Sequence, residues 1–173
     1  DLKGNNWQEV QQTKSSESIE RVSLIYSPKN DLLYYFYRTA SKSLMMATKK
    51  SSEKLWGDVK PVAGVNKIDD LSSLTLDSAR NRIIFAYTKG LQIATATLDL
   101  TSFEFKEKIH TGGNLNSYIP NMKYDADSDT AYIVFPRGNT PGMKEDKQLW
   151  LAKVRGDGSN YTEVKLTNTN YEN

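Results

Sequence analysis

Leu24-Ile25-Tyr26-Ser27-Pro28-Lys29-Asn30-Asp31-Leu32-Leu33 has two gapless counterparts further along the chain. They are Leu74-Thr75-Leu76-Asp77-Ser78-Ala79-Arg80-Asn81-Arg82-Ile83 and Met122-Lys123-Tyr124-Asp125-Ala126-Asp127-Ser128-Asp129-Thr130-Ala131. The spacing is roughly fifty residues, and self-similarity at such a period means one supersecondary unit stacked on copies of itself. The likeness continues past the quoted cores. Leu44-Met45-Met46-Ala47, Leu91-Gln92-Ile93-Ala94 and Leu149-Trp150-Leu151-Ala152 repeat a pattern of large, any, large, Ala. Each is followed by a short segment led by an aromatic: Trp56 to Val59, Phe103 to Lys108, and Tyr161 to Val164.

Each unit reads as four strands in up-and-down order, and four short strands per repeat of this length are the blade of a β-propeller. The turns agree with this. Ser27-Pro28-Lys29-Asn30-Asp31, Asp77-Ser78-Ala79-Arg80-Asn81 and Asp125-Ala126-Asp127-Ser128-Asp129 carry residues that tolerate left-handed geometry and bond their own backbone. Leu32-Leu33-Tyr34-Tyr35-Phe36-Tyr37 and Arg82-Ile83-Ile84-Phe85-Ala86-Tyr87 are apolar on both faces, which suits a sheet held between two neighbours. Amphipathic helices over Ser41 to Trp56 and Ser72 to Ala86 are the rival reading. The third copy is rich in Thr, Tyr, Val and Gly, and it makes a poor helix. The expectation is a single all-β domain over 1–173, with blade-like repeats at 21–62, 71–110 and 119–167. Trp7-Gln8-Glu9-Val10 matches Trp56-Gly57-Asp58-Val59, so 7–12 is read as an additional outer strand. Three blades are too few for a closed ring, which typically has four to eight. The expectation is therefore a homo-oligomer or part of a longer propeller chain, because open strand edges and apolar blade faces are a liability.

Composition narrows the function classes. A net charge of +2, from 23 basic and 21 acidic groups, argues against a nucleic-acid binder that relies on a basic field. Arg38, Lys42, Lys49, Lys50 and Lys54 form a local cluster, read as a solvated sheet edge. With no cysteine there is no disulfide, thiolate metal site or cysteine nucleophile. No apolar run approaches the length of a membrane span. The acceptor sequon Asn160-Tyr161-Thr162 sits in a predicted turn and leaves the compartment open, with secretion favoured.

Candidate chemistry is sparse. His110 is the one histidine and reads as a loop residue. Asp125, Asp127 and Asp129 alternate, but Thr130 and Pro136 stand where a calcium loop needs its Gly and Glu, so no metal is expected. Arg155-Gly156-Asp157 is an integrin-type tripeptide, and Gly-Asp-Gly is also ordinary hairpin chemistry. Glu104 with Glu107, and Glu145 with Asp146, are the carboxylate pairs available to a glycoside hydrolase, and all lie in hydrophilic stretches. The layout running from Leu33–Arg38 through Ser43–Ala47 to Trp56-Gly57-Asp58 resembles the blades of fungal and bacterial fucose-type propeller lectins. That resemblance implies sugar held in inter-blade grooves by an Arg of the second strand set against a Glu of the third. Leu44-Met45-Met46-Ala47 offers no carboxylate for that role. The reading is a non-enzymatic module, with no cofactor, that binds a carbohydrate or a protein. Trp56 and Trp150 are the stacking surfaces, and Arg38 and Arg155 the hydrogen-bond donors. The alternative is a fragment or subunit of a propeller glycoside hydrolase, sialidase-like, with catalytic groups partly outside this chain.

Overall fold

The computed structural model describes residues 17–65, 67–111, 116–138 and 147–167, and among these there is no helix. The strands form three antiparallel sheets in sequence order. The first holds β1 (Ile19–Ser27), β2 (Leu32–Thr39), β3 (Leu44–Lys50) and β4 (Lys60–Pro61). The second holds β5 (Asp70–Asp77), β6 (Arg82–Lys89), β7 (Gln92–Asp99) and β8 (Phe105–Ile109). In the third, β9 (Asn116–Ser117) and β10 (Asn121–Asp125) both pair with β11 (Thr130–Gly138), which leads to β12 (Gln148–Arg155) and β13 (Thr162–Lys165). Within each sheet every strand pairs with its predecessor in the chain apart from this split first strand. The fold is all-β, a three-sheet part of a β-propeller. The outer strand read at 7–12 lies outside the described residues.

The repeat is written in backbone geometry as well as in sequence. Asp31, Asn81 and Asp129 close the three first turns with φ of 50°, 51° and 50°. That is the left-handed region, which Asp and Asn enter at least cost among side-chain-bearing residues. The innermost strands also share a break in register, between Glu20 and Val22 in β1 and between Leu71 and Ser73 in β5. In the third sheet the same break is wide enough to separate β9 from β10. A bulge adds twist and bends the strand. The third turns repeat as well. Asp99 accepts from the backbone N–H groups of Thr101 and Ser102, and Asp157 accepts from that of Ser159.

One element departs from expectation. Trp56 to Val59 is not a strand; the fourth strand of the first sheet is β4, two residues long and pairing only Met45 and Met46. The polar run Ser51-Ser52-Glu53-Lys54 cannot bury a face, and the backbone of Gly57 makes a single bond to Thr48 (2.9 Å). The other fourth strands begin one or two residues later than the aromatics that lead them.

Strand alternation decides the core. Ile83, Phe85 and Tyr87 of β6 pack on Tyr34, Phe36, Leu44 and Met46 of the first sheet. Ile84 and Ala86, on the opposite face, pack on Ala131, Ile133 and Phe135 of the third. Burying both faces explains why β6 reads as a continuous apolar run. The repeated alanines have a role here. Ala94 joins the first interface and Ala152 the second, each on the face turned toward the preceding sheet. A methyl there lets the preceding sheet come close enough to bury its own larger side chains.

Candidate functional site

The richest polar constellation lies between the second and third sheets. Arg137, near the end of β11, is only 5% exposed. Its guanidinium forks onto both carboxylate oxygens of Glu163 on β13, at 2.6 Å each, and its Nε donates to Ser117 Oγ at 3.1 Å. The same guanidinium lies over Trp150 at 4.5 Å and over Phe135 at 5.0 Å. The Tyr161 hydroxyl donates to Glu163 Oε2 at 2.5 Å, and its ring stacks on His110 with centroids 4.5 Å apart and planes 7° from parallel. His110 Nε2 sits 2.6 Å from Thr95 Oγ1.

Electrostatics hold this set in one state. Burial works against ionisation of Glu163, but the bonds from Arg137 and Tyr161 outweigh it and keep the carboxyl below its usual range. Burial raises the Tyr161 hydroxyl, and Glu163 adds to the effect, so that oxygen stays protonated and donates. Burial, and secondarily Lys108, lowers His110 to about 4, so the ring is neutral at pH 7. The outcome is an ion pair walled by Trp150, Tyr161 and a neutral imidazole. Glu163 is reachable at the sheet edge, where it lines a depression of about 230 Å³ with Leu151, Lys153 and Thr162.

The first groove carries a smaller counterpart. Lys89 occupies the repeat position of Arg137, and its ammonium pairs with Glu107 on β8, to which Tyr87 also donates. A cation at the end of a second strand therefore meets a glutamate of the fourth strand in both sheets. On the opposite side, toward the third sheet, Lys106, Lys108 and Thr97 line a cavity of about 70 Å³ with Asp157 and Gly158. In the first sheet the same position is Thr39.

At the other end of the second groove, Asp77 and Asp129 are buried together. Arg82 donates to both, its Nε lying 2.9 Å from Asp77 Oδ2. The Tyr124 hydroxyl is 2.8 Å from Asp77 Oδ2 and 2.8 Å from Asp129 Oδ1. Arg80 reaches Asp77 at 3.3 Å, and Arg155 reaches Asp129 Oδ2 at 3.2 Å. Burial raises both carboxyls, and the surrounding tyrosine and arginine bonds more than reverse it, so both remain below the usual range. Burial together with the two aspartates lifts Tyr124 to about 12. Every charge here has a partner, as a structural ion-pair knot requires.

The four residues singled out from sequence do not converge. Trp150 stands in the Arg137–Glu163 constellation. Arg155 faces the knot, and Gly156 beside it is closed in, since a Cβ there would lie 2.5 Å from Asp129 Oδ1. Arg38 pairs with Glu20 and keeps a buried Nε without a partner. Trp56 packs on Tyr35 with centroids 5.6 Å apart, and Lys49 lies over it at 5.7 Å. Arg38 lies on β2 of the first sheet and Trp56 in the connection between β3 and β4. Of the carboxylate pairs, Glu104 bonds Lys106 at 3.0 Å at the surface, Glu107 belongs to the first groove, and Glu145 and Asp146 lie outside the described residues. Asp125 caps its own turn through Asp127 N–H and Ser128 Oγ while Asp129 turns inward, so the alternating aspartates do not converge on a cation. Arg137 and Glu163 do not stand out in the sequence, because the arginine of the second strand meets a glutamate of the fourth strand rather than of the third. The matching places of Lys89 and Arg137 in the repeat were the available signal.

The sequence matches no protein-family model and no curated protein. Among solved structures, the chain is similar to an exo-beta-1,3-galactanase from Phanerochaete chrysosporium crystallised with beta-1,3-galactotriose. The TM-score is 0.58 and the identity 15%, over 87% of this chain and 36% of the galactanase. A chain of a nidogen/laminin complex scores 0.48 at 14% identity, over 87% of this chain and 49% of that one. A prolyl endopeptidase scores 0.45 at 15% identity, over 86% of this chain and 22% of that one. This chain therefore spans about a third of the galactanase and half or less of the other two. At 15% identity the likeness to the galactanase bears on the fold alone, and the fold is that of the β-propeller proteins.

Proposed function

We propose that the chain is a non-enzymatic binding module that holds a carbohydrate in the grooves between neighbouring sheets. The observation that carries this reading is the Trp150–Arg137–Glu163 set. An aromatic wall, a fixed guanidinium fork and an ionised carboxylate at one groove edge offer a sugar a stacking surface, donors and acceptors together. The Lys89–Glu107 pair supports it, because a repeat protein tends to repeat its site. Trp150 keeps the stacking role given to it from sequence, while Arg137 and Glu163 take over the polar role from Arg38 and Arg155. A protein ligand at the same grooves is the broader form of the same proposal.

The competing reading is a subunit of a propeller glycoside hydrolase. What favours it is the fold likeness to the galactanase, whose structure contains galactotriose. A glycan array followed by calorimetry on the full chain separates the two. Binding of a glycan without turnover, weakened at least tenfold by Arg137→Ala and by Trp150→Ala, supports the module. Release of reducing sugar from β-1,3-linked galacto-oligosaccharides, lost in Glu163→Gln, replaces it with the hydrolase. An empty array, or an Arg137→Ala variant that binds as the parent does, removes the groove from consideration.

A further inference from the structure

The sequon Asn160-Tyr161-Thr162 runs from the β12–β13 turn into the first residue of β13, and the polar constellation of the groove uses only its central tyrosine. The turn closes without the asparagine side chain. Asp157 accepts from the backbone N–H of Ser159 at 2.8 Å and from its hydroxyl at 2.6 Å. The Gly158 N–H donates to the Arg155 carbonyl at 2.8 Å, and the Arg155 N–H to the Ser159 carbonyl at 2.9 Å. Asn160 follows with φ of 54°, in the left-handed region that asparagine enters readily.

Side-chain directions separate the three residues of the sequon. The Tyr161 ring lies on His110, in the groove toward the second sheet. Asn160 and Thr162, on either side of it, are exposed. Other turn asparagines spend their amides on the fold: Asn30 donates to Asn81 at 3.2 Å, and Asn81 to Thr101 Oγ1 at 3.0 Å. The amide of Asn160 makes no hydrogen bond among the described residues. The second sheet shows which way this position points. Phe103 stands two residues before β8 with φ of 57°, as Asn160 stands two residues before β13, and Phe103 is 37% exposed.

We infer that Asn160 is the attachment site of an N-linked glycan, carried on the tip of the β12–β13 turn. The co-reactant is an oligosaccharide joined through a diphosphate to a lipid. Asn160 Nδ2 forms the new bond to the anomeric carbon and gives up a proton. The bond from that carbon to the diphosphate oxygen breaks, and the lipid diphosphate leaves with the electron pair. Thr162 supplies the hydroxyl that the acceptor sequence requires. A glycan at this place is bulky and solubilising, and it displaces no contact of the fold. The inference stands whether or not the grooves bind a ligand.

The test is the intact mass of the full chain, expressed with a host signal peptide in a eukaryotic cell line. The protein is taken from the medium, or from the microsomal fraction if the cell retains it, and weighed before and after digestion with peptide N-glycosidase. The expected result is a glycan increment that the enzyme removes, with the deamidated residue mapped to position 160. Asn160→Gln and Thr162→Ala should each lose the increment, and Thr162→Ser should keep it. Circular dichroism checks that each variant folds, and Asn160→Asp stands in where Asn160→Gln does not, because Asp also tolerates the left-handed turn. A parent without the increment overturns the inference, as does an increment that persists in Asn160→Gln. Release should also be complete from the folded protein. Release only after denaturation overturns the outward placement of Asn160.

Discussion

The two grooves between the sheets occupy the same positions of the repeat and solve the same packing problem with opposite chemistry. Where the second groove has Asp77, Arg82, Tyr124 and Asp129, the first has Ser27, Leu32, Leu76 and Asn81. Leu32 and Leu76 join the first apolar cluster, and Asn81 takes a 3.2 Å bond from Asn30. Leu98 is fully buried in that cluster, and its counterpart in the second groove is Gly156, whose missing side chain leaves room for Arg82 and Asp129. At the centre the first groove uses large rings, with Phe36 edge-on to Phe85 at 5.3 Å and Phe105 at 5.6 Å from Phe85. The second uses Ile84, Ala86, Ala131 and Ile133. One backbone plan therefore accepts either an apolar plug or an ion-pair knot. The knot is not needed for the fold as such; it ties one particular pair of sheets together.

The sharpest way to break that comparison is to remove one member of the knot. Arg82→Leu leaves Asp77 and Asp129 with only the more exposed Arg80 and Arg155 as cationic partners and should cost about 3 kcal/mol in urea unfolding. Replacing the whole knot by the first groove's residues, as D77S, R82L, Y124L and D129N together, should recover most of that loss. The expected stability is within about 1 kcal/mol of the parent, since swapping a buried ionic set for packed apolar groups is often neutral. If the fourfold variant is as unstable as Arg82→Leu, the knot is integral to the interface and the equivalence of the two grooves fails.

Gly156→Ala probes the same space with a smaller effect. Its methyl must displace Arg82 or Asp129, at a cost of about 1–3 kcal/mol. In the fourfold background the obstruction is gone and the cost should shrink, a coupling that a double-mutant cycle reads directly. An unchanged cost in both backgrounds places the strain elsewhere.

The smallest effect concerns pH. His110 is held neutral, with its pKa lowered to about 4 from an ordinary 6.5, chiefly by burial. The folded state then disfavours the proton, so the contribution of His110 is full above about pH 6.5 and is lost as pH falls toward 4. Nuclear magnetic resonance titration of the imidazole should show no protonation near pH 6. In His110→Gln, stability should fall less steeply between pH 6.5 and 4 than in the parent. An imidazole titrating near 6.5 removes the stacked, desolvated environment assigned to it. The first groove has no histidine, so this contribution has no counterpart there.

Sheet number, strand order and turn positions were legible in the amino-acid sequence because those are local. Alternation of large side chains, Asp or Asn at the left-handed closing position and the repeated alanine act within a few residues, and three copies repeat them in step. The same locality let Trp56 mislead, since an aromatic shared with the other repeats stands where polar neighbours prevent a strand. Side-chain pairings between strands that are not adjacent in a sheet, or that lie in different sheets, were settled by the tertiary structure. Arg137 finds Glu163 at a separation of 26 residues and Arg82 finds Asp129 at 47, and no periodicity of either strand announces a partner on another. A side chain's charge and burial depend on which sheet is laid against it, so sequence determined the blades while only their stacking decided which residues form a groove.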